Sequence, residues 1–294
     1  MKLERIGVTS PGDMGQAVAG RLKACGFEVF TALEGRSART AELAAKAGLS
    51  DCGTVSKLVA TCDTIFSILN PGAAVEKAQE VAAAMRESGK KIVYVDCNAI
   101  APQSGQEIER LIREAGGIFI DAGIIGPPPR GKAKTKLYVS GPEAAQLSQC
   151  IVDDQLQVRV VGERTGDASA VKMCYASLTK GSIALGMELL IAARKLGVEQ
   201  ALEAELRESQ RDLYESVVNR SVSMPPKAYR WVPEMLEIAK TFEGVGLTPS
   251  IFNGAADMFE HIAALPLGRE SPEEAREKSR TGAQVIQALA DGTS

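Results

Sequence analysis

Up to about residue 165 the chain alternates short apolar runs with stretches whose apolar positions recur every three or four residues. The runs RIGVT, EVFTAL, TIFSIL, KIVYVD, GIFIDAG, KLYVSG and VRVVG are rich in β-branched residues and bounded by turn formers, which predicts strands. MGQAVAGRLKAC, ARTAELAAKAG, GAAVEKAQEVAAAMRESG, APQSGQEIERLIREAG and PEAAQLSQCIV lie between them and predict helices. Such alternation predicts a mainly parallel sheet covered by helices. After Gly166 the strand signals stop. DASAVKMCYASLTKGSIALGMELLIAARKLG keeps helical spacing throughout, with Gly181 and Gly186 inside it. VEQALEAELRESQRDLYESVVN and YRWVPEMLEIAKTFEGVG predict further helices, with SMPPKAYR as a loop between them. The tail carries a helix start, with Ser271 as cap and Pro272 in the first turn, followed by acids. The expected fold class is an α/β domain over residues 1–165 joined by a long helix to an all-α domain over residues 166–294.

Composition narrows the function. A chain of 294 residues, 45% hydrophobic and 24% charged, is long enough for two globular domains. The formal net charge of −3 offers no electrostatic draw toward nucleic acid or an anionic membrane. The N-terminus enters a strand at once, without the pattern of a secretory signal. No apolar stretch is expected to approach the roughly 20 residues a membrane span needs, since GSIALGMELLIAARKLG contains Glu188, Arg194 and Lys195. The six cysteines are scattered, which suits reduced thiols in a cytoplasmic protein. His261 is the single histidine, so neither a histidine-based metal site nor a Ser-His-Asp triad is expected, and His261 itself is assigned no role.

The first strand and helix enclose Ser10-Pro11-Gly12-Asp13-Met14-Gly15. A G-x-G-x-x-G turn in this place holds a dinucleotide pyrophosphate on backbone N–H groups and a helix N-terminus. Gly12 and Gly15 keep the glycines for close phosphate approach and for helix packing; Ser10 replaces the first. The next strand bears on the nucleotide, because an acid at its end binds a ribose diol and a cation a 2′-phosphate. Glu34 falls in the acid's place. Arg36, Ser37, Arg39 and Thr40 follow it and suit a phosphomonoester, so NADP is expected over NAD. A helix cap beginning at SARTAEL is the other reading of the same residues.

With these residues the chain resembles the β-hydroxyacid dehydrogenase superfamily, which includes 3-hydroxyisobutyrate and 6-phosphogluconate dehydrogenases. IGVTSPGDMGQAVAGRL is similar to its I-G-x-I-G-x-G-x-M-G opening, VDCNAIAPQ to V-D-x-S-T-x-x-P, IFIDAGIIGPP to F-x-D-A-P-V-S-G-G, and GERTGDASAVKMCYASLTKG to G-x-x-G-x-G-x-x-x-K-x-x-x-N. The C-terminal part is similar to a branch with a short helical second domain. The resemblance implies a Rossmann-type first domain and a homodimer built on the long helix. It makes Lys172 the catalytic acid/base, able to protonate a forming alkoxide or to take the hydroxyl proton in reverse. Tyr175 stands where the family has asparagine and shares the donor role or shapes the pocket. Leu69, Asn70 and Asn98 fall where the family meets its cofactor.

The family's Ser-Gly-Gly anion site is altered. Gly123 remains ahead of it, but Ile125-Gly126-Pro127 lack a hydroxyl and one N–H, which points to a larger or less polar substrate at Gly123, Ile125 and Gly126. In the second domain Tyr229, Arg230, Trp231 and Glu234 form a mixed aromatic and charged cluster that lines the substrate cleft or the dimer contact, or else packs a helix end. The leading expectation is an NADP(H)-dependent oxidoreductase on a small hydroxy compound and its carbonyl. An imine reductase-like enzyme and a non-catalytic NADP-binding sensor are the alternatives.

Overall fold

The computed structural model describes residues 3–293, in two compact units that meet inside one helix, between Met173 and Cys174. The first unit is a single eight-stranded sheet. Its strands are β1 (Arg5–Val8), β2 (Glu28–Thr31), β3 (Ser50–Asp51), β4 (Thr64–Ser67), β5 (Val93–Asp96), β6 (Ile118–Ile125), β7 (Thr135–Ser140) and β8 (Leu156–Gly162), in the order β3-β2-β1-β4-β5-β6-β7-β8. All pairings are parallel except β6 with β7. Strand order reverses at β1, which lies between β2 and β4, so the crevice at their C-terminal ends is the place where such sheets bind ligands.

Successive strand residues face opposite sides of the sheet. Val8, Phe66, Val95 and Ile120 pack on one side with α1 (Asp13–Ala24) and α6 (Ala144–Cys150). Ile65, Tyr94 and Phe119 pack on the other with α3 (Val55–Thr61), α4 (Ala74–Ser88) and α5 (Pro102–Glu114). The remaining helix of this unit, α2 (Ala38–Lys46), follows β2. All seven expected strands form. β3 and α3 are additions: β3 is two exposed residues on the sheet edge, and α3 is one short stretch capped by Thr54.

The long helix α7 (Asp167–Lys195) runs unbroken through both internal glycines. Gly186 is required there, because a Cβ would meet Val217 at 2.6 Å. By length and composition α7 is apolar enough to cross a bilayer, which corrects the expectation that no stretch approaches that size. Buried core helices pass the same test, and Ile183, Ala184, Met187 and Leu190 of α7 are buried.

The second unit adds α8 (Glu199–Ser209), α9 (Arg211–Ser221), α10 (Ala228–Glu243), α11 (Ser250–Ala264), α12 (Pro266–Arg269), α13 (Pro272–Glu277) and α14 (Gly282–Asp291). The single helix expected over 198–219 breaks at Gln210, whose backbone leaves the helical region. The expected loop 223–230 is a short 3-10 turn at Pro225–Lys227 that runs straight into α10, so Tyr229 and Arg230 are helical. Ser271 caps α13 as expected, in a reciprocal box with Glu274.

Just before that cap, Glu270 accepts hydrogen bonds from two Arg280 nitrogens at 2.9 and 2.8 Å and from Lys278 at 2.7 Å. Arg280 first, then Lys278, brings its carboxyl down to about 2. A value below the ordinary carboxylate one means the stabilisation is complete above about pH 4.3 and is lost as pH falls toward 2. Glu270→Gln is expected to cost about 2 kcal/mol at neutral pH, and the gap from the parent should close in acid. Urea melts of both proteins at pH 7 and pH 3 measure it; an undiminished gap at pH 3 contradicts the assignment.

Candidate active site

The turn after β1 is built for close approach. Thr9 is buried, its N–H donates to the Phe66 carbonyl at 3.1 Å, and its hydroxyl accepts from the Ile68 N–H at 3.1 Å, which ties the turn to the end of β4. α1 then starts at Asp13, with Gly12 as a cap that makes no side-chain hydrogen bond to it. The first N–H groups of a helix have no intrahelical partner, and a helix N-terminus in this position suits an anion. The two glycines differ in kind. A Cβ on Gly15 would sit 2.1 Å from the Ser10 carbonyl oxygen, whereas one on Gly12 would meet nothing within 4 Å. Gly15 thus lets helix meet turn, and Gly12 leaves space open to a ligand. Pro11 is buried beside them and Met14 is half-buried.

Beyond the end of β2 lies a cleft of about 270 Å³, lined among others by Glu34, Arg36, Val55, Leu69, Lys77 and Glu80. Arg36 donates to the Thr9 carbonyl at 3.2 Å, which anchors its guanidinium between the turn and this cleft. Ser37 and Thr40 are the cap of α2. Thr40 N–H donates to the Ser37 hydroxyl at 3.3 Å, and the two hydroxyls lie 3.0 Å apart. Arg39 is exposed in the first turn of the same helix. Lys77 of α4 brings a second cation to the cleft, paired with Glu80. Open space at Gly12, a helix N-terminus without a side-chain cap and a cleft with two cations fit a nicotinamide dinucleotide.

At the opposite end of the crevice, Gly123 of β6 decides where Lys172 sits. A Cβ at Gly123 would lie 2.8 Å from the Lys172 Cβ and 3.0 Å from the Ala168 carbonyl, so the stem of Lys172 crosses the strand directly over the glycine. The start of α7 is held from beneath by Asp121, which is fully buried. One carboxylate oxygen accepts from the N–H groups of Gly166 (3.1 Å) and Ser169 (3.0 Å) and from the Ser140 hydroxyl (2.9 Å); the other accepts from the Ser169 hydroxyl. The Ser140 hydroxyl also accepts from the Ala168 N–H at 3.0 Å. A distant carboxylate therefore caps the helix that carries Lys172, where it also meets the positive end of the dipole. Burial raises its carboxyl above the ordinary value, and the hydrogen bonds from Ser169, Ser140 and Gly166 oppose the rise.

Residues 5–150 match the NAD binding domain of 6-phosphogluconate dehydrogenase, and residues 193–262 match a domain of unknown function (DUF1932). An uncharacterized 28.5 kDa protein in the 7S RNA 5′ region of Methanothermus fervidus is 30% identical over 238 residues, 80% of this chain and 90% of that one. A solved conserved protein of unknown function, described as similar to 3-hydroxyacid dehydrogenases, is 30% identical, with 94% of this chain and 100% of that one covered at a TM-score of 0.62. The chain belongs to the β-hydroxyacid dehydrogenase superfamily. Its fold is also that of the 3-hydroxyisobutyrate dehydrogenase of Mycobacterium tuberculosis, solved with L-serine: 19% identity, 95% and 100% of the chains covered, TM-score 0.69. As a superfamily member it is an NAD(P)-dependent dehydrogenase or reductase.

Within this superfamily member the other expected site residues fall in several places. Asn98 is buried; its amide donates to Ser67 Oγ and Asp96 Oδ2, both at 2.9 Å, and its oxygen accepts from the Leu69 N–H at 2.7 Å. It braces the ends of β4 and β5 and so fixes the backbone at Leu69. Asn70 caps the turn that follows β4, accepting from Gly72 N–H. Ile125 is half-buried at the end of β6, and Gly126 next to it needs its φ of +129°. Tyr175 belongs to the helical unit and is half exposed. There the aromatic and charged cluster divides. Trp231 packs edge-on against Phe259 with its ring under Lys180, which pairs with buried Glu234. Tyr229 is exposed with Arg230 over its ring. His261 is exposed near the end of α11.

Proposed function

We propose that this protein is an NADP(H)-dependent oxidoreductase interconverting a small hydroxy compound and its carbonyl, with Lys172 as acid/base. The observation that supports the reading is the packing of the Lys172 stem over Gly123, near the C-terminal end of β6, on a helix anchored by buried Asp121. Nicotinamide, when bound, supplies or accepts the hydride. Lys172 donates its proton to the developing alkoxide during carbonyl reduction and recovers one from the hydroxyl in oxidation. Gly12, Gly15 and the first N–H groups of α1 take the pyrophosphate. Arg36 answers the 2′-phosphate, with Lys77 in the same cleft; Glu34, also lining it, is the residue that would favour NAD instead.

The substrate lies against the end of β6, at Gly123, Ile125 and Gly126. Pro127 has no N–H and Ile125 no hydroxyl to offer a carboxylate, and this favours imine reduction as the second reading. Rates with NADPH on a panel of 3-keto acids, uncharged ketones and cyclic imines test both. Turnover of carbonyls supports the first reading, and turnover confined to imines supports the second. A homodimer through α7 is supported by exposed Leu178 and Leu185 on that helix and by an apolar groove lined by Leu185, Leu189 and Leu213. Sedimentation at micromolar concentration is expected to show two copies, and a monomer there contradicts it.

A further inference from the structure

The loop joining β6 to β7, with three consecutive prolines at 127–129, reaches back across the sheet to the dinucleotide turn. Arg130 Nη2 donates to the carbonyl of Asp13 at 2.5 Å and to its carboxylate at 2.8 Å. Nε and Nη1 of the same guanidinium have no partner among the described residues. Asp13 is the first residue of α1, the helix whose N-terminus forms the anion-binding turn. The side chains of both are about half exposed, at 48% and 49%.

We propose that Arg130 is a binding residue for the dinucleotide pyrophosphate, holding it from the loop side while the α1 N–H groups hold it from below. The inference rests on the reading of this turn as a nicotinamide dinucleotide site. A carboxylate at the first position of α1 helps the empty helix through the dipole but repels a pyrophosphate placed on the same N–H groups. Arg130 neutralises that carboxylate and carries free N–H donors to the same spot. A planar guanidinium with unused donors matches phosphate oxygens in a paired, charge-assisted geometry.

The loop holds the arginine in place. Its own N–H donates to the Pro128 carbonyl at 2.9 Å, and its carbonyl accepts from Ala133 N–H at 2.9 Å. Gln155 donates to the Gly131 carbonyl, and Thr135 to that of Pro127. The prolines have few conformations to lose, so little ordering remains for the moment of binding. Arg130 also sits in the segment that lost the family's Ser-Gly-Gly donors, so a role toward a substrate carboxylate is the competing use of the same cation.

The test is fluorescence titration of the full chain and its variants with NADPH and NADH. Arg130→Ala is expected to weaken both dinucleotides by about tenfold and by the same factor, because the pyrophosphate is common to them. Arg130→Lys keeps the charge and should recover part of the loss. Asp13→Asn should tighten both. In the Asp13→Asn background Arg130→Ala should still weaken binding, since the contact is direct; a loss that vanishes there means Arg130 only screens Asp13 and overturns the proposal. So does an unchanged dinucleotide affinity, whether accompanied by a raised substrate KM or not. Thermal melting of each variant separates a binding loss from a folding loss. Failure of the parent protein to bind either dinucleotide strikes the underlying reading of the site instead.

Discussion

Lys172→Met is expected to lower the rate of hydride transfer about 10³-fold, the middle of the range for removing a positioned acid/base, while dinucleotide affinity stays within about twofold of the parent. Methionine preserves the part of the side chain that packs. The β- and γ-carbons of Lys172 lie over Gly123, and an unbranched apolar chain of similar length fills the same path. What disappears is the proton donor at the tip. Without it the alkoxide formed during carbonyl reduction must find its proton from water. The pyrophosphate turn at Gly12–Gly15 is made by other residues, so binding should not follow the rate. Single-turnover kinetics paired with a binding titration measures the two quantities separately. A variant that keeps its rate removes Lys172 from the mechanism, and one that loses both rate and binding makes it a structural residue.

Gly15→Ala is expected to be the most damaging single-methyl change in the first unit. The new Cβ would lie 2.1 Å from the Ser10 carbonyl oxygen, a backbone atom that cannot rotate aside. Either α1 shifts outward or the turn after β1 opens, and α1 contributes Val18, Ala19 and Leu22 to the core. A cost of about 3 kcal/mol is expected for such overpacking, together with loss of dinucleotide binding of about 100-fold or more as the N–H groups leave their positions. Gly12→Ala makes the matching control. Its φ of −67° suits any residue, and a Cβ there meets nothing in the protein. That variant should melt like the parent yet bind the dinucleotide poorly, because the methyl occupies space kept for phosphate. Equal melting temperatures for both variants would contradict the division of labour between the two glycines.

Much of this organisation was legible in the sequence where the determinants are local. Seven strands and their helices follow from apolar period and turn residues over windows of a dozen positions. Ser271 and Pro272 marked a real cap because capping is decided within four residues. β3 escaped because it has only Ser50 and Asp51, exposed and held by pairing with Phe30 and Thr31. The break at Gln210 escaped because no glycine or proline marks it. Ser37 and Thr40 form a helix cap, and Arg36 turns back to Thr9.

The long-range parts of the site had no local signal. Asp121 works through Gly166 and Ser169, 45 and 48 residues away, and only the fold brings the carboxylate under α7. Asn98 was legible as a residue at the right strand end, but its buried bonds to Ser67, Asp96 and Leu69 needed the neighbouring strand. Lys77 looks from sequence like one charge on a solvated helix face, and Arg130 like one cation in a basic loop. Each acquires meaning from what lies opposite it.

The most direct measurement is a side-by-side fluorescence titration of the purified protein with NADPH and NADH. The account predicts saturable NADPH binding, NADH weaker by about tenfold or more, and loss of that difference in Arg36→Ala. A preference for NADH would move nucleotide selection to Glu34. Binding of neither would mean that the Ser10-Pro11 turn does not admit a pyrophosphate, and would contradict the account at its centre.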